Sequence, residues 1–244
     1  MRKEIFNLWH LVQRRRALED AATSRASPGF EMHYNASRCT EAPYEKYIIE
    51  ACDMQEDIDK AVADVIQSFE DDNTDILSKT TGQRQRAMRL CFVCGKDDEY
   101  IAERLGIGIR TVEARLRGSP EKIPDGAFAS FVTETRLLPI DAEVEEYLAK
   151  TYRNVQRMAG ESYEEVEKLI AYHEARAADH RKQYAIRCGK IIEAKKNLVD
   201  EEKIIIEMWL GGSSWSEIGD AVGCNARNAR KKFVKISNSD LFFS

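Results

Sequence analysis

The sequence predicts an all-α fold, and three observations lead to this prediction. Apolar residues recur at helical or seven-residue spacing along most of the chain. No segment alternates apolar and polar residues with the β-branched and aromatic enrichment of a strand. Composition agrees, since 43% of the 244 residues are apolar and 32% are charged, with only 13 glycines and 5 prolines. These proportions are typical of a helical protein whose charged faces lie in solvent.

Two similar stretches suggest that the chain contains repeated modules. Residues 95–118 and 212–235 carry the same skeleton of apolar residues and glycines, offset by a constant 117 positions. The paired positions are Gly95 with Gly212, Ile101 with Ile218, Leu105 with Val222, Gly106 with Gly223, Val112 with Ala229, and Leu116 with Phe233. Self-similarity at a fixed period indicates a duplicated structural unit. We therefore predict a first module at residues 1–118, a connector marked by proline and glycine at 119–139, and a second module at 140–244.

Each module is predicted to begin with a long helical hairpin. In the first module, an amphipathic helix at residues 3–22 precedes a loop rich in Ser, Pro, Gly and Asn and a second helix at 44–69. In the second module, the helices occupy residues 141–159 and 163–198. The last helix carries residues at strict seven-residue intervals, namely Tyr163, Ile170, Ala177, Tyr184, Ile191 and Leu198. Such a period predicts a seam against a partner helix.

A compact helical head is predicted to follow each hairpin. In the second head, Ser214 and Glu217 form a capping box at the start of a helix. Gly223 ends that helix, and Asn225 caps the next one. The residues predicted to be buried in this next helix are Ala229, Phe233 and Ile236. Two short helices that are joined by a Gly-containing turn, the second of them basic, match a helix-turn-helix.

The first head repeats this plan, with Asp97 or Asp98 as the first cap, Gly106 as the stop and Gly108 as the next cap. Its second helix is less basic, because Glu113 stands where the second head has Arg230. We therefore expect the second head to contribute more to binding. The predicted DNA-binding residues are Arg227, Asn228, Arg230, Lys231 and Lys235 in the second head, and Arg110, Thr111 and Arg115 in the first.

The heads also carry a resemblance to a known family. The stretches "MRLCFVCGKDDEYIAERLGIGIRTVEARLRG" and "IIEMWLGGSSWSEIGDAVGCNARNARKKFVKI" resemble region four of bacterial sigma factors, as found in phage regulators of the RinA and ArpU kind. The loop at Ser27 to Phe30, ahead of a long helix, is similar to those proteins as well. The resemblance implies a sequence-specific, double-stranded DNA-binding transcriptional regulator of phage or prophage genes, with RNA polymerase as a further partner.

Charge is unevenly distributed, and this leaves a second class of function open. The net charge of −5 does not suit a general nucleic-acid coat, yet residues 225–236 hold five basic residues and no acid. Residues 53–75, in contrast, hold nine acids and one lysine. An acidic helix of this kind favours the alternative of a helical protein-interaction adaptor or inhibitor that imitates DNA. A DNA-packaging component that uses the same heads is a third interpretation.

The duplication also predicts how DNA would be bound. Two heads in one chain reproduce what other helix-turn-helix proteins obtain by dimerising. We therefore expect two half-sites of unlike sequence, separated by about one helical turn of roughly 34 Å.

Other chemistry is not indicated by the sequence. It contains no Gly-rich phosphate loop and no nucleophile elbow, so we expect neither an enzyme nor catalytic residues. For the pair Cys91 and Cys94, and for His173 and His180, packing within the core or the helical seam is favoured over a metal site. We expect no cofactor and no metal.

The expected compartment is the cytoplasm. No run of about 18 apolar residues is present, so neither a membrane span nor a membrane partner is expected. The N-terminus interrupts its apolar residues with charge, unlike a signal peptide. Six cysteines without disulfide-scaffold spacing are consistent with a reducing environment.

Overall fold

The computed structural model describes residues 2–26, 45–119, 127–196 and 198–237, and these residues form helices and short turns with no strand among them. The all-α prediction is therefore confirmed. The helices are α1 Lys3–Ala26, α2 Glu45–Lys79, α3 Gly82–Met88, α4 Asp98–Leu105, α5 Ile109–Leu116, α6 Ala127–Ala159, α7 Glu164–Lys195, α8 Asp200–Leu210, α9 Trp215–Ala221 and α10 Ala226–Ser237. A π-helical turn, Arg89–Val93, directly follows α3. The predicted family-like loop at Ser27 to Phe30 lies outside the described residues.

Helix α6 differs most from the sequence prediction. It begins at Ala127 and contains Pro139, so more than half of the predicted connector is helical. Proline normally ends or kinks a helix because it lacks the N–H for one backbone hydrogen bond. Here Phe128, Ala129 and Val132 are buried in an apolar cluster with α8, α9 and α10. Burial of this face stabilises the helix by more than the missing backbone hydrogen bond at Pro139 destabilises it.

The chain divides into two compact units that do not follow the predicted module boundaries. The smaller unit comprises Met1–Asp71 and Lys150–Leu169, and the larger comprises Asp72–Ala149 and Ile170–Ser244. Helices α2, α6 and α7 each contribute residues to both units. The predicted modules at 1–118 and 140–244 are defined by similarity along the sequence, whereas the two units are defined by contacts in space. The two modules therefore stay a prediction.

The smaller unit is held by an apolar seam along α2. Ala51, Ile58 and Val65, which lie seven residues apart, are buried as their spacing predicts. Beyond them, the ring of Phe69 meets the edge of the Tyr152 ring, with 6.3 Å between the ring centroids. The Tyr152 hydroxyl donates to Glu70 Oε1 at 2.6 Å. The tyrosine is therefore buried with its polar atom satisfied.

A buried ionic network lies in the larger unit, centred on the π-helical turn. The Arg89 side chain is almost completely buried. It donates from Nε to Asn73 Oδ1 at 2.9 Å, from Nη1 to Asp141 Oδ1 at 3.2 Å and from Nη2 to Glu145 Oε1 at 2.6 Å. One guanidinium thus connects the end of α2 with two carboxylates of α6. Such a buried charge is tolerated because it is paired and hydrogen-bonded.

His173 of α7 completes this network. Its Nδ1 lies 2.6 Å from the second carboxylate oxygen of Glu145, so His173 joins α7 to α6, as the seam interpretation predicts. Burial by itself raises the pKa of Glu145, but the hydrogen bond with His173 and the charge of Arg89 outweigh it and lower the pKa to about 2. Glu145 is therefore a carboxylate at neutral pH.

Both heads lie in the larger unit and have the same order of elements. The first head is formed by α3 with its π-helical turn, α4 and α5, and the second by α8, α9 and α10. Helices α4 and α5 begin at Asp98 and Ile109, 117 positions before the first residues of α9 and α10, Trp215 and Ala226. That this correspondence reflects a duplication stays a prediction.

The local signals at the turns of both heads are confirmed. Asp97 accepts a hydrogen bond from Tyr100 N, and Gly106 ends α4 in the left-handed conformation. Ser214 and Glu217 form the predicted capping box, and Asn225 accepts from the backbone N–H of Asn228 at 2.9 Å. Each cap satisfies a backbone donor that the helix itself leaves unpaired.

Ser214→Ala is expected to lower the free energy of unfolding by about 1 kcal/mol, because the first turn of α9 loses its side-chain cap. Ser216 lies two positions further along the same helix and is exposed. Ser216→Ala should therefore change the free energy of unfolding by less than about 0.5 kcal/mol. Urea denaturation of both variants measures the difference, and an equal loss in both would contradict the capping role.

Aromatic side chains form the centre of the second head. Trp209 and Trp215 stack with their centroids 4.2 Å apart, and Phe233 of α10 packs against both. Gly219 lies so close to the turn that its missing Cβ would stand 2.6 Å from the carbonyl oxygen of Cys224. A larger residue would push α9 away from this turn. Within the described part of the chain, no helix combines the length and apolar character needed to cross a membrane.

Candidate nucleic-acid interface

The outward face of α10 carries four of the predicted DNA-binding residues. Arg227, Asn228, Lys231 and Lys235 are all exposed. The opposite face is buried in the head through Ala229, Phe233 and Ile236. Because Arg227, Lys231 and Lys235 are each four residues apart, they form one basic stripe along the helix. The hydrophobic packing of α10 therefore fixes which way this stripe points.

Lys232 has a different role from its basic neighbours. It forms an ion pair with Glu201 of α8, and this hydrogen bond raises the pKa of Lys232. Lys232 thus contacts α8 and does not belong to the outward stripe.

The remaining predicted residues are divided between solvent and a groove. Arg110 of α5 is exposed. Thr111 and Arg115 of α5 and Arg230 of α10 line one groove of about 580 Å³ between the heads. The structure thus brings three predicted residues from the two heads together, although 115 positions separate Arg115 and Arg230 in the sequence.

The heads contact each other directly at two turns. A Cβ at Gly106 would overlap the carbonyl oxygen of Gly212 and the guanidinium of Arg136. Arg136 lies on α6 and donates from Nη2 to Leu105 O at 2.6 Å and to Gly212 O at 2.9 Å. Its guanidinium also lies 3.8 Å from the centroid of the Trp209 ring. Arg136 therefore hydrogen-bonds to the turn of the first head and to the turn that precedes α9 in the second head.

Arg136 is only 4% exposed, and burial lowers its pKa to about 10. It still carries its charge at neutral pH. The sequence patterns do not single out this residue, because it lies in the stretch assigned to the connector. The one signal that could have found it is a single arginine in the largely apolar stretch "FVTETRLLPI".

The contact between the heads changes the expected geometry of binding. Two half-sites one helical turn apart, roughly 34 Å, require the DNA-reading helices to be well separated. Here α5 and α10 border the same groove, and Arg136 holds the heads together. The two helices therefore share one groove, and the binding of two separated half-sites stays a prediction.

Glu113 forms an ion pair at the C-terminal end of its own helix. Its position in the sequence predicts that it weakens the basic character of α5 as a whole. In the structure it forms an ion pair with Arg117 at 2.9 Å, and the side chains of Arg117 and Glu113 are 76% and 42% exposed. The lower basic character of α5 stays a prediction.

The acidic stretch of α2 presents most of its charge to solvent. Eight of its nine acids are exposed, and the exception is Glu70, which accepts the hydrogen bond from Tyr152. This arrangement agrees with the alternative interpretation of a DNA-like acidic helix, and equally with an ordinary solvated face.

The cysteine pair of the first head is placed in or near its core. Cys94 is buried, and burial raises its pKa to about 12. Burial also raises the pKa of Cys91. Both are therefore neutral thiols at physiological pH. Among the residues that the structure describes, no group of three or more His, Cys, Asp or Glu side chains is arranged to hold a metal ion.

Comparisons with known protein families, with curated protein sequences and with solved structures find no match to the chain.

Proposed function

We propose that this protein is a sequence-specific double-stranded DNA-binding transcriptional regulator whose principal contact is the outward face of α10. The observation that carries the proposal is the exposed basic stripe of Arg227, Lys231 and Lys235 on α10, the second of two short helices with capped first turns. The resemblance of both heads to sigma region four supports it. Phage or prophage genes as targets, and RNA polymerase as a partner, are carried by that resemblance alone.

The chemistry of the stripe fits the two parts of DNA recognition. Lysines and arginines that neutralise phosphates release counterions from the duplex, which gives affinity without sequence preference. Arginine and asparagine can also make bidentate contacts with guanine and adenine edges in the major groove. Arg227 and Asn228 lie in the first turn of α10, the part of a recognition helix that usually contacts bases. Lys231 and Lys235 then extend along the helix for contacts with phosphates.

The proposal predicts binding to duplex DNA that weakens steeply with salt. The triple variant R227Q/K231Q/K235Q should bind more weakly, and the slope of log affinity against log salt should decrease by about 1 for each phosphate that the variant no longer neutralises. Mobility shifts between about 50 and 200 mM salt measure both quantities. Selection from a random duplex library then tests whether one sequence is preferred.

A matched control removes the same charge elsewhere. Lys46, Lys150 and Lys190 are exposed and lie on α2, α6 and α7. The variant K46Q/K150Q/K190Q should retain the affinity and salt slope of the original chain. Absence of binding at low salt, or equal weakening by both triple variants, would remove the basis of the proposal.

The exposed acids of α2 favour an alternative function, that of a helical adaptor or inhibitor that imitates DNA. This candidate predicts that the chain binds a basic DNA-binding protein and competes with DNA for it. Reversal of four exposed acids, D53K/D57K/D64K/D71K, should abolish such competition and leave direct DNA binding by α10 in place.

A further inference from the structure

We propose that the groove between the two heads is a binding site for a phosphate group, separate from the outward stripe of α10. The phosphate can belong to the DNA backbone or to a small phosphorylated molecule, and the chemistry that recognises it is the same. This inference goes beyond DNA binding by α10 and does not require it.

The size of the groove suits a small anionic ligand. Its volume of about 580 Å³ lies within the range of roughly 300–1,000 Å³ that is usual for ligand pockets. It is open to solvent and bordered by α5 of the first head and by α9 and α10 of the second. A phosphate group could therefore enter without separating the heads.

The groove is lined by donors and cations. Arg115 lies on the α5 side and Arg230 on the α10 side, and Thr111, Ser214 and Ser216 contribute hydroxyl-bearing side chains to the lining. None of the lining residues that the structure describes is acidic. Arginine is suited to phosphate because its planar guanidinium can donate two parallel hydrogen bonds to two phosphate oxygens. Arg115 and Arg230, one from each head, are the lining cations that can donate to a phosphate group.

A third positive charge lies directly behind the lining. Arg136 contacts Gly106 and Trp209, both of which line the groove. Its guanidinium donates to the main-chain carbonyls of Leu105 and Gly212. Within the described residues, no carboxylate pairs with it, and its Nε and Nη1 atoms make no hydrogen bond. A buried charge without a counterion raises the local positive potential more than an exposed one, because less water screens it.

Two buried side chains of the lining also have unused polar atoms. Thr133 is 5% exposed and Trp209 is 3% exposed. Thr133 Oγ1 and Trp209 Nε1 have no hydrogen-bond partner among the described residues. Both atoms are enclosed beneath the groove surface, so they do not contact a ligand in the groove. The groups that would contact the phosphate are therefore Arg115 and Arg230, with the charge of Arg136 behind them.

The first experiment measures binding of inorganic pyrophosphate by isothermal titration calorimetry. The full chain should bind it, and the variant R115Q/R230Q should lose at least about tenfold in affinity, because two charge-assisted contacts with the phosphate are removed. The variant R227Q/K231Q, which removes two charges from the outward stripe, should retain pyrophosphate affinity within about twofold.

A second variant keeps both arginines. It tests the site even if R115Q/R230Q fails to fold. Ser216 lines the groove, is exposed and lies near the start of α9, where an acid is compatible with the helix. S216D should weaken pyrophosphate binding by repulsion and leave the thermal unfolding midpoint almost unchanged. S216N is the uncharged control and should bind as the original chain does.

Duplex DNA as the second probe distinguishes the two sources of phosphate. If S216D weakens DNA binding as well as pyrophosphate binding, the groove holds a backbone phosphate. If it weakens pyrophosphate binding alone, the groove serves a small phosphorylated molecule. Pyrophosphate binding in a chain that does not bind DNA would refute the proposed function and leave this site intact. The site itself is refuted if the original chain does not bind pyrophosphate and S216D binds DNA as S216N does, or if R227Q/K231Q lowers pyrophosphate affinity as much as R115Q/R230Q.

Discussion

Arg89→Met is expected to lower the free energy of unfolding by about 3–5 kcal/mol, because it breaks a buried ionic network by removing its central charge. Arg89 is 1% exposed, and its side chain bonds to Asn73, Asp141 and Glu145. Methionine has a comparable length, so the main loss is the positive charge. Glu145 would lose a buried partner, and the cost of keeping its carboxylate out of water would no longer be offset. Urea denaturation followed by far-UV circular dichroism measures the change.

Arg181→Met is the matched control, because it removes an ion pair between α7 and α6 at the surface. Arg181 pairs with Glu146, and the two side chains are 66% and 42% exposed. Water screens such a pair, so we expect a loss of about 0–1 kcal/mol. A loss of about 1 kcal/mol or less for Arg89→Met would show that the buried network does not hold the larger unit together.

Gly106→Ala is expected to destabilise the protein by about 2–5 kcal/mol, whereas Gly223→Ala should cost only about 1–2 kcal/mol. The two glycines occupy the same place in the turns of the two heads, with φ of 60° and 67°. Alanine is strained in both, because its Cβ is disfavoured in the left-handed conformation. At Gly223 the new methyl group meets open space, whereas at Gly106 it overlaps Arg136 and the carbonyl of Gly212. Only the overlap at Gly106 depends on contact between the heads.

The comparison of these two variants therefore isolates the contact between the heads from the strain of the turn. Thermal and urea unfolding of both give the difference in stability, and pyrophosphate titration reports whether the groove keeps its shape. Equal destabilisation by Gly106→Ala and Gly223→Ala would mean that the heads are not packed together in solution.

The sequence by itself determined the fold class and the internal structure of the heads. Caps such as Asp97, Ser214 and Asn225 act on backbone groups only three residues away, so their effect can be recognised in a short stretch. The buried positions of α10 follow from helical periodicity, which placed Ala229, Phe233 and Ile236 together on one face. The outward position of Arg227, Lys231 and Lys235 is the geometric consequence of that face.

The tertiary structure alone decided how the heads meet and what lies between them. Arg136 bonds to carbonyls 31 and 76 positions away, and a pattern within one segment carries no information about partners at such distances. Arg115 and Arg230 line one groove beside the place where Arg136 and the small residue Gly106 allow the two turns to touch. The same long-range packing keeps α6 helical through Pro139, against its local preference. Helix capping and helical periodicity therefore determine the helices within each head, whereas apolar burial and the hydrogen bonds of Arg136 bring the two heads into contact.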